Sequence, residues 1–531
     1  MNKYFLSLTI FFLLSVHIPA QEILKSAEEE YYDFFVLNGA TQRPAINYRT
    51  LSDSVWSFDE DESHPWQNNN LGIWRNLSGN FRLRIYGPDL FLSGNTHAPF
   101  GQNDGVLWQG RGFNALLKTG VRLEGYGIEF TILPHFAFSQ NAEFGIMPSV
   151  YGNEYGYYWG YGVDAPQRFG GESFFDWDPG DSEIRYTWKS LTAGFGTQTV
   201  WLGPSSLTPI LHSNNAPSYP KFDIGLRRQR VTIPGLKWYI GDIETRIWIG
   251  RLCESDYFDD DDSNNYNMFH GFSFAYAPSF LPGLTIFANR VCIVPWEWKN
   301  IKYVIPSGNN TIEDQKMSIG YSWFFSEAGF EIYGEMGVDD YVIGGATAYL
   351  RHPFHTNVYT GGIKKMLEIK PQRKIYGELK LEYSWMEMTQ DFQLQWPYSV
   401  YFHHQITQGY TNRGQWLGNG VSPGGNSQLL SFTLYYPKGN SQLFFNRNNP
   451  DSNFIYSQAV NASAENYQLG SIYYRRNRAN FNVGLNTGYF LNTYVFLSGG
   501  VVYNYIINPN YFYDDSVVHN FSFQFNVKIN I

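Results

Sequence analysis

The sequence predicts an all-β fold, a transmembrane antiparallel β-barrel, on three observations. Aromatic residues make up 18% of the 531 residues while charged residues make up only 16%. From about residue 80 to the end, segments recur in which apolar and polar residues alternate, the pattern of strands with one oily and one polar face. The mean hydropathy is negative, −0.34. No apolar run of the ~20 residues needed by a membrane helix follows residue 20. A membrane barrel has this profile because every second residue faces water and aromatic girdles mark both interfaces. A secreted aromatic-rich β-sandwich or carbohydrate-active enzyme is the rival on composition alone.

The N-terminus places Lys3 before an apolar stretch from Phe5 to Val16 and a small Ala20. Residues 1–20 therefore read as a cleaved secretory signal, and no Cys follows to carry a lipid anchor. For an exported barrel the destination is the bacterial outer membrane. Residues 21–79 read as a periplasmic helical and polar segment. Its helix is expected over 22–37, with a Glu-rich start and Gly39 as the stop, and the acidic run DEDE follows at 59–62.

The barrel is expected over 80–531, and counting alternating segments gives about 16 to 20 strands. FRLRI at 81–85 sets Arg82 and Arg84 opposite Phe81, Leu83 and Ile85. Residues 113–133 read as a hairpin turning near Gly125. The clearest hairpin, 360–385, turns at Pro371 and places Leu379, Leu381, Tyr383 and Trp385 on one face. Its other face carries Glu378, Lys380 and Glu382. A dry sandwich core rejects three successive charges, whereas in a barrel they line a wet lumen and the aromatics meet lipid. Tight turns alternate with long connections such as 253–267 and 506–519, matching short periplasmic turns and long outer loops. The segment NFSFQFNVKINI at 520–531 alternates without a slip. It reads as the strand that pairs with the first and closes the wall, the part of a barrel that the barrel-assembly machinery reads. It ends on Ile531 rather than on the usual aromatic.

Cys253 and Cys292 sit at the ends of two predicted strands with a third between them. Next-but-one strands lie about 9.6 Å apart, beyond comfortable disulfide reach, so the cysteines are expected to stay unbridged. The net charge of −10 argues against a nucleic-acid partner, which requires a basic footprint.

Catalysis finds little support. No pair among the 48 Asp and Glu stands out as a glycosidase dyad, and no Gly-x-Ser-x-Gly elbow is present. His403 and His404 are adjacent and point apart on an extended chain, so they do not chelate one metal, although one of them is a candidate ligand contact. The DDDD run at 259–262 lacks the glycine and terminal Glu of a calcium loop and reads as solvated. No cofactor or metal is expected. The aromatic stretch YGNEYGYYWGYG at 151–162 reads as a stacking platform for sugars, as an interfacial aromatic belt, or as a loop packed over the barrel mouth.

Three stretches resemble the Wzi family of capsule-assembly outer-membrane barrels, which act as surface lectins. They are 103–134, 179–226 and 401–420. In the second, Trp201-Leu202-Gly203-Pro204 and Ser213-Asn214-Asn215-Ala216 are similar to the family's Trp-Gly-Pro and Ser-Asn-Asn-Ala signatures. In the third, YFHHQITQGYTNRGQWLGNG is similar to its Tyr-x-His, Gly-Tyr, Arg-Gly and Leu-Gly steps. Trp201-Leu202-Gly203-Pro204 carries one residue more than the family pattern, and a single helix stands where the family has a helical bundle.

The resemblance implies an 18-stranded barrel with a small helical part at the periplasmic mouth. It also implies a non-enzymatic protein that holds capsular or other surface polysaccharide, with outer-membrane lipid around it. The candidate polysaccharide contacts are Trp108, Arg111, Trp201, Asn214, Asn215, His403, Tyr410 and Arg413. Arg111, Trp108 and Arg413 offer charge and stacking to an anionic glycan. Asn214 and Asn215 offer amides to sugar hydroxyls or to their own loop backbone. The alternative is a porin or substrate-specific channel, and the two readings part on whether the lumen is plugged.

Overall fold

The computed structural model describes residues 20–531 except 59–62, 73, 151–152, 160–162, 260, 306–311, 340–356, 388–398, 422, 456, 458–476 and 512–515. The signal read at 1–20, Ala20 apart, and the acidic run at 59–62 lie outside the described residues.

Eighteen antiparallel strands close into one barrel, each pairing with its neighbour in sequence. The third and fourth are each broken in two, as Ile128–Ile132 with His135–Ser139 and as Phe174–Asp178 with Glu183–Trp188. The last strand, Val517–Ile529, pairs with the first, Arg82–Asn95, from Ser522 opposite Asn95 to Lys528 opposite Asp89. The first strand bulges between Tyr86 and Asp89, where Pro88 cannot donate to the ladder. Gly87 is required beside that bulge, because a Cβ there would lie 1.8 Å from the Ile529 carbonyl oxygen of the closing strand.

Alternation sorts the wall as expected. Phe222, Ile247, Phe272, Ile319, Leu381, Leu443 and Phe523 are exposed on the outside, forming the apolar band that faces acyl chains. Arg122, Arg185, Asp223, Glu244, Arg246 and Glu331 are buried on the inside. The hairpins expected near Gly125 and Pro371 turn at Tyr126–Gly127 and Pro371–Arg373. Cys253 and Cys292 are free and lie on strands separated by Tyr266–Pro278.

The lumen differs from the expectation. It is packed, and the charges on its wall are largely dry. The N-terminal segment enters from the short-turn end. Its helix runs Ala27–Phe35 and continues as a 3-10 turn, Val36–Asn38, ending at Gly39 with φ 80°. The helix expected from residue 22 starts later because the Ser26 hydroxyl caps the Glu29 amide at 3.1 Å. Before it the chain turns at Leu24–Lys25, where Lys25 has φ 62°, and upstream the Glu22 amide is bonded to the Ser54 carbonyl with the Glu22 carboxylate 3.2 Å from Arg84. The helix lays Tyr31, Phe34 and Phe35 against Trp66 and the wall residues Tyr435, Phe490 and Phe496. Tyr31 stacks on Trp66 at 3.9 Å between ring centroids.

Further along, Asp53 receives Arg227 at 2.7 Å and Arg246 at 3.0 Å. Arg43 pairs with Asp33 at 2.5 Å and with the wall's Glu331 at 2.9 Å. The segment is thus bolted to the inner wall by ion pairs taken out of water.

From the opposite end, the connections 197–220 and 399–421 fold inward. Val200, Leu202, Ile210, Leu211, Tyr401, Tyr410 and Leu417 form one apolar core with the inward wall residues Trp248, Phe269, Val291 and Ile293. Glu382 shows what this does to a wall charge. Its carboxylate accepts from Ser206 N at 2.6 Å, Leu207 N at 3.0 Å, Thr208 N at 3.0 Å, the Ser205 hydroxyl at 2.7 Å and the Tyr333 hydroxyl at 2.6 Å. What reads in sequence as a lumen-lining charge is the anchor of an inward loop.

Candidate functional site

The end bearing the long connections holds a cap over the packed lumen. Two buried carboxylates join its loops, and a half-buried third braces a single loop. Asp164 accepts from Ser255 N at 2.6 Å and Gly414 N at 3.1 Å, tying together three connections. Burial pushes its carboxyl up to about 6. Asp451 accepts from Tyr157 at 2.8 Å, from Tyr511 at 2.9 Å and from Tyr158; its burial likewise raises it to about 6. Asp104 takes the Gln109 amide at 2.7 Å and is raised by burial to about 6.

The described part of the aromatic stretch 151–162 packs down. Tyr157, Tyr158 and Trp159 are buried with Phe402, Phe454 and Tyr511, so these rings close the mouth. Residues 151–152 and 160–162 of that stretch lie outside the described residues, as does Asp260 of the DDDD run, in which Asp261 caps the Ser263 amide at 2.9 Å.

The eight sequence-predicted contacts separate into two groups. Trp201 is fully buried, donates to the Ser205 carbonyl at 3.1 Å and carries Arg49 and Lys25 over its ring. Tyr410 is buried, stacks on Tyr401 and donates to the Leu211 carbonyl at 2.7 Å. His403 is buried, and its Nδ1 accepts from Gln405 N and Ile406 N at 3.2 and 3.0 Å. Asn215 accepts from Asn103 N at 3.1 Å and donates to the Trp416 carbonyl at 3.0 Å. Trp201 braces its inward loop against the N-terminal segment, and the other three brace the inward loops beneath the cap.

The other four are half-buried. Arg111 donates to the Thr96 and Glu143 carbonyls at 3.0 and 2.5 Å, and Arg413 pairs with Asp176. Trp108 packs on Phe169 with 5.1 Å between centroids, and its indole N–H has no partner among the described residues. The Asn214 side-chain oxygen has none either.

Asn214 borders a cavity of about 360 Å³ inside the barrel, within the size range of small-molecule sites, ~300–1,000 Å³. Gln442, Asn486, Gln524 and Asn526 line it from the last strands, and Asp104 and Asn214 from the loops. Above these amides runs a ladder that sequence reasoning misses. Asn482 donates to Asn446 at 3.0 Å, Asn504 to Asn482 at 3.0 Å and Asn520 to Asn504 at 2.7 Å. Each pair is directly opposite in register. The Asn520 side-chain carbonyl then accepts from His97 N at 2.8 Å and Ala98 N at 3.2 Å. The recurring Asn at inward positions of successive strands is the signal that sequence offers for it. Amides that both donate and accept suit hydroxyl-rich ligands. Among the described residues no three His, Cys, Asp or Glu are placed to hold a metal.

An antiparallel wall with an apolar outer band, an amide-rich inner face and a lumen packed from both ends defines an outer-membrane β-barrel of closed type. Residues 100–293 match the family described as capsule assembly protein Wzi, which bears out the resemblance carried by the motifs. The Escherichia coli outer-membrane protein Wzi, described as a carbohydrate-binding β-barrel involved in group 1 capsule assembly, shares the fold at a TM-score of 0.55. Its identity is 12%, over 84% of this chain and 85% of that one. Pseudomonas putida OprB aligns with a TM-score of 0.38 at 12% identity over 85% and 94% of the two chains. Pseudomonas aeruginosa OccD3 aligns at 0.41 and 9% identity over 86% and 93%. Among curated proteins none matches the chain in sequence.

Proposed function

We propose that this protein holds capsular or other surface polysaccharide at the cell exterior, as a lectin-like, non-enzymatic barrel of capsule assembly. The observation that carries this reading is the packed lumen: the inward connections and the N-terminal segment meet the wall in apolar cores and buried ion pairs, an arrangement suited to display rather than conduction. The family match over residues 100–293 supports it, as does the carbohydrate binding described for the E. coli neighbour. Glycan contact is proposed for the half-buried Trp108, Arg111, Asn214 and Arg413, of which Asn214 borders the interior cavity. Residues 1–20 are taken as the exported leader and 21–79 as the segment inserted from the periplasmic side, with 80–531 as the wall that the barrel-assembly machinery closes.

Deleting the gene is expected to release polysaccharide into the medium while total polysaccharide stays the same; polysaccharide that remains on the deletion strain overturns the reading. In planar bilayers the purified protein is expected to give no conductance steps. Clear steps would favour a channel.

A further inference from the structure

One stretch of the outer face is buried although it points away from the barrel. On Tyr266–Pro278 and Leu284–Pro295 the inward positions are fixed by Asn47 of the N-terminal segment, whose amide donates to Ser273 at 2.8 Å and Asn289 at 2.6 Å. Phe272 and Arg290, opposite one another in register and next in sequence to those two, therefore face outward. Toward the short-turn end this outer face is open, with Phe274 and Ile286 exposed at 41% and 44%. Toward the long-loop end Met268, His270, Arg290, Cys292 and Val294 on the same face are buried.

The cover is the connection that leaves Pro295. It folds back down the outside of the wall as a 3-10 helix, Trp298–Val304. Tyr303 inserts among Met268, Cys292 and Val294, and its carbonyl accepts the Arg290 guanidinium at 3.1 Å. Asn300 is buried beneath and donates to the Pro295 carbonyl at 2.9 Å. The cover's own outer surface carries Trp298 at 87% and Ile305 at 71% exposed, with Trp296 and Ile301 also exposed. Lys299 and Lys302 stand among them, and Lys299 is paired to Glu297.

We propose that residues 296–305 are a clamp lying within the outer leaflet, not an extracellular lid, and that its lysines hold the phosphates of a phosphorylated glycolipid. Tryptophan and isoleucine at such exposure belong against lipid rather than water, and tryptophan with lysine is the pairing found where acyl chains give way to headgroups. The cover is continuous with the apolar band, whose Phe272, Ile286 and Met317 are exposed next to it. Its basic residues complement an anionic headgroup, and Arg251 stands on the outward face of the neighbouring strand, over the Tyr266 ring. By covering Arg290 the clamp also removes a guanidinium that would otherwise face acyl chains, where a charge is costly. This inference is independent of the glycan reading.

Trp298→Cys, carrying an environment-sensitive dye in a background with Cys253→Ser and Cys292→Ser, tests the placement in two vesicle types. One is phosphatidylcholine alone, and the other is phosphatidylcholine with rough lipopolysaccharide. Quenching by a lipid-borne nitroxide and protection from aqueous iodide are expected in both; iodide access without nitroxide quenching overturns the clamp. Lys299→Glu with Lys302→Glu tests the headgroup. Lipopolysaccharide retained through purification is expected to fall by about fivefold per lysine, while unboiled protein keeps the mobility of a closed barrel. Equal retention by the variant overturns phosphate recognition. Inorganic phosphate added at excess is expected to displace none of the bound lipid, and displacement would assign the lysines to free phosphate instead.

Discussion

Gly271 shows how tightly single positions are set inside this barrel. A Cβ there would lie 1.9 Å from Trp248 Cε2, and Trp248 is 1% exposed in the inward core. Gly271→Ala must push the indole aside, at a cost of about 1–3 kcal/mol for overpacking, read as a lower unfolding temperature of the folded band on unboiled gels. At Gly94, beside the closing seam, an added Cβ would meet nothing within 4 Å, and Gly94→Ala is expected to change stability by less than about 0.5 kcal/mol. Asp164 sets a pH dependence. Burial raises its carboxyl from the ordinary 3.8 to about 6, and Glu254 beside it is raised to about 8, by burial and then by its acidic neighbours Asp259, Asp164 and Asp261. Between the ordinary and the raised values the folded cap holds protons that the unfolded chain has released. Its stability is therefore full at low pH and is lost as pH rises through about 6 and then about 8. Limited proteolysis of the outer loops is expected to be slower at acid than at alkaline pH; the reverse order would contradict the assignment.

At the scale of elements, the asparagine ladder joins strands through side chains as well as backbones. Asn504 is its middle rung, donating to Asn482 and accepting from Asn520. Asn504→Leu leaves a buried donor and a buried acceptor without partners, at about 1–3 kcal/mol. A double-mutant cycle with Asn482 is expected to show coupling, whereas additive losses would mean that the rungs act separately. The strands themselves are legible in the sequence, because alternation reports which residues share a face. The ladder is not, because alternation reports faces and not register. Asn446, Asn482, Asn504 and Asn520 each look like ordinary lumen-facing polar residues until the strands are aligned. The helix start departs from its expected place for a similarly local reason: Glu22 to Lys25 have helical composition, but the Glu22–Ser54 backbone bond ties down Glu22 and a turn at Leu24–Lys25, with Lys25 at φ 62°, delivers the chain to the Ser26 cap.

For the whole molecule, the wall can be read from sequence and the filling cannot. Val200, Leu202, Ile210 and Leu211 stand in a connection whose prolines and asparagines mark a loop, and nothing in their spacing says that they fold inward to meet Trp248 and Phe269. The candidate site is obscured for the same reason. Trp201, Asn215, His403 and Tyr410 stand out in sequence for their motifs, and their roles depend on a packing that only the closed barrel creates. The filling is held by charge as well as by apolar contact, which makes it separable from the wall. Asp53→Ala removes the shared partner of Arg227 and Arg246, at about 3–5 kcal/mol for breaking a buried pair. The N-terminal segment is then expected to become protease-sensitive while unboiled protein still migrates as a closed barrel. Loss of both together would mean that wall and filling are one cooperative unit.

The seam between the first and last strands also fastens the filling. Lys528 of the closing strand points into the lumen, where its ammonium meets Glu28 of the N-terminal helix at 2.7 Å and Asn530 reaches the same carboxylate at 3.3 Å. Directly opposite Lys528 in register stands Asp89 of the first strand. The residue pair that completes the ring is therefore also the place where the ring grips the helix, so that damage to this one joint is felt by wall and filling alike.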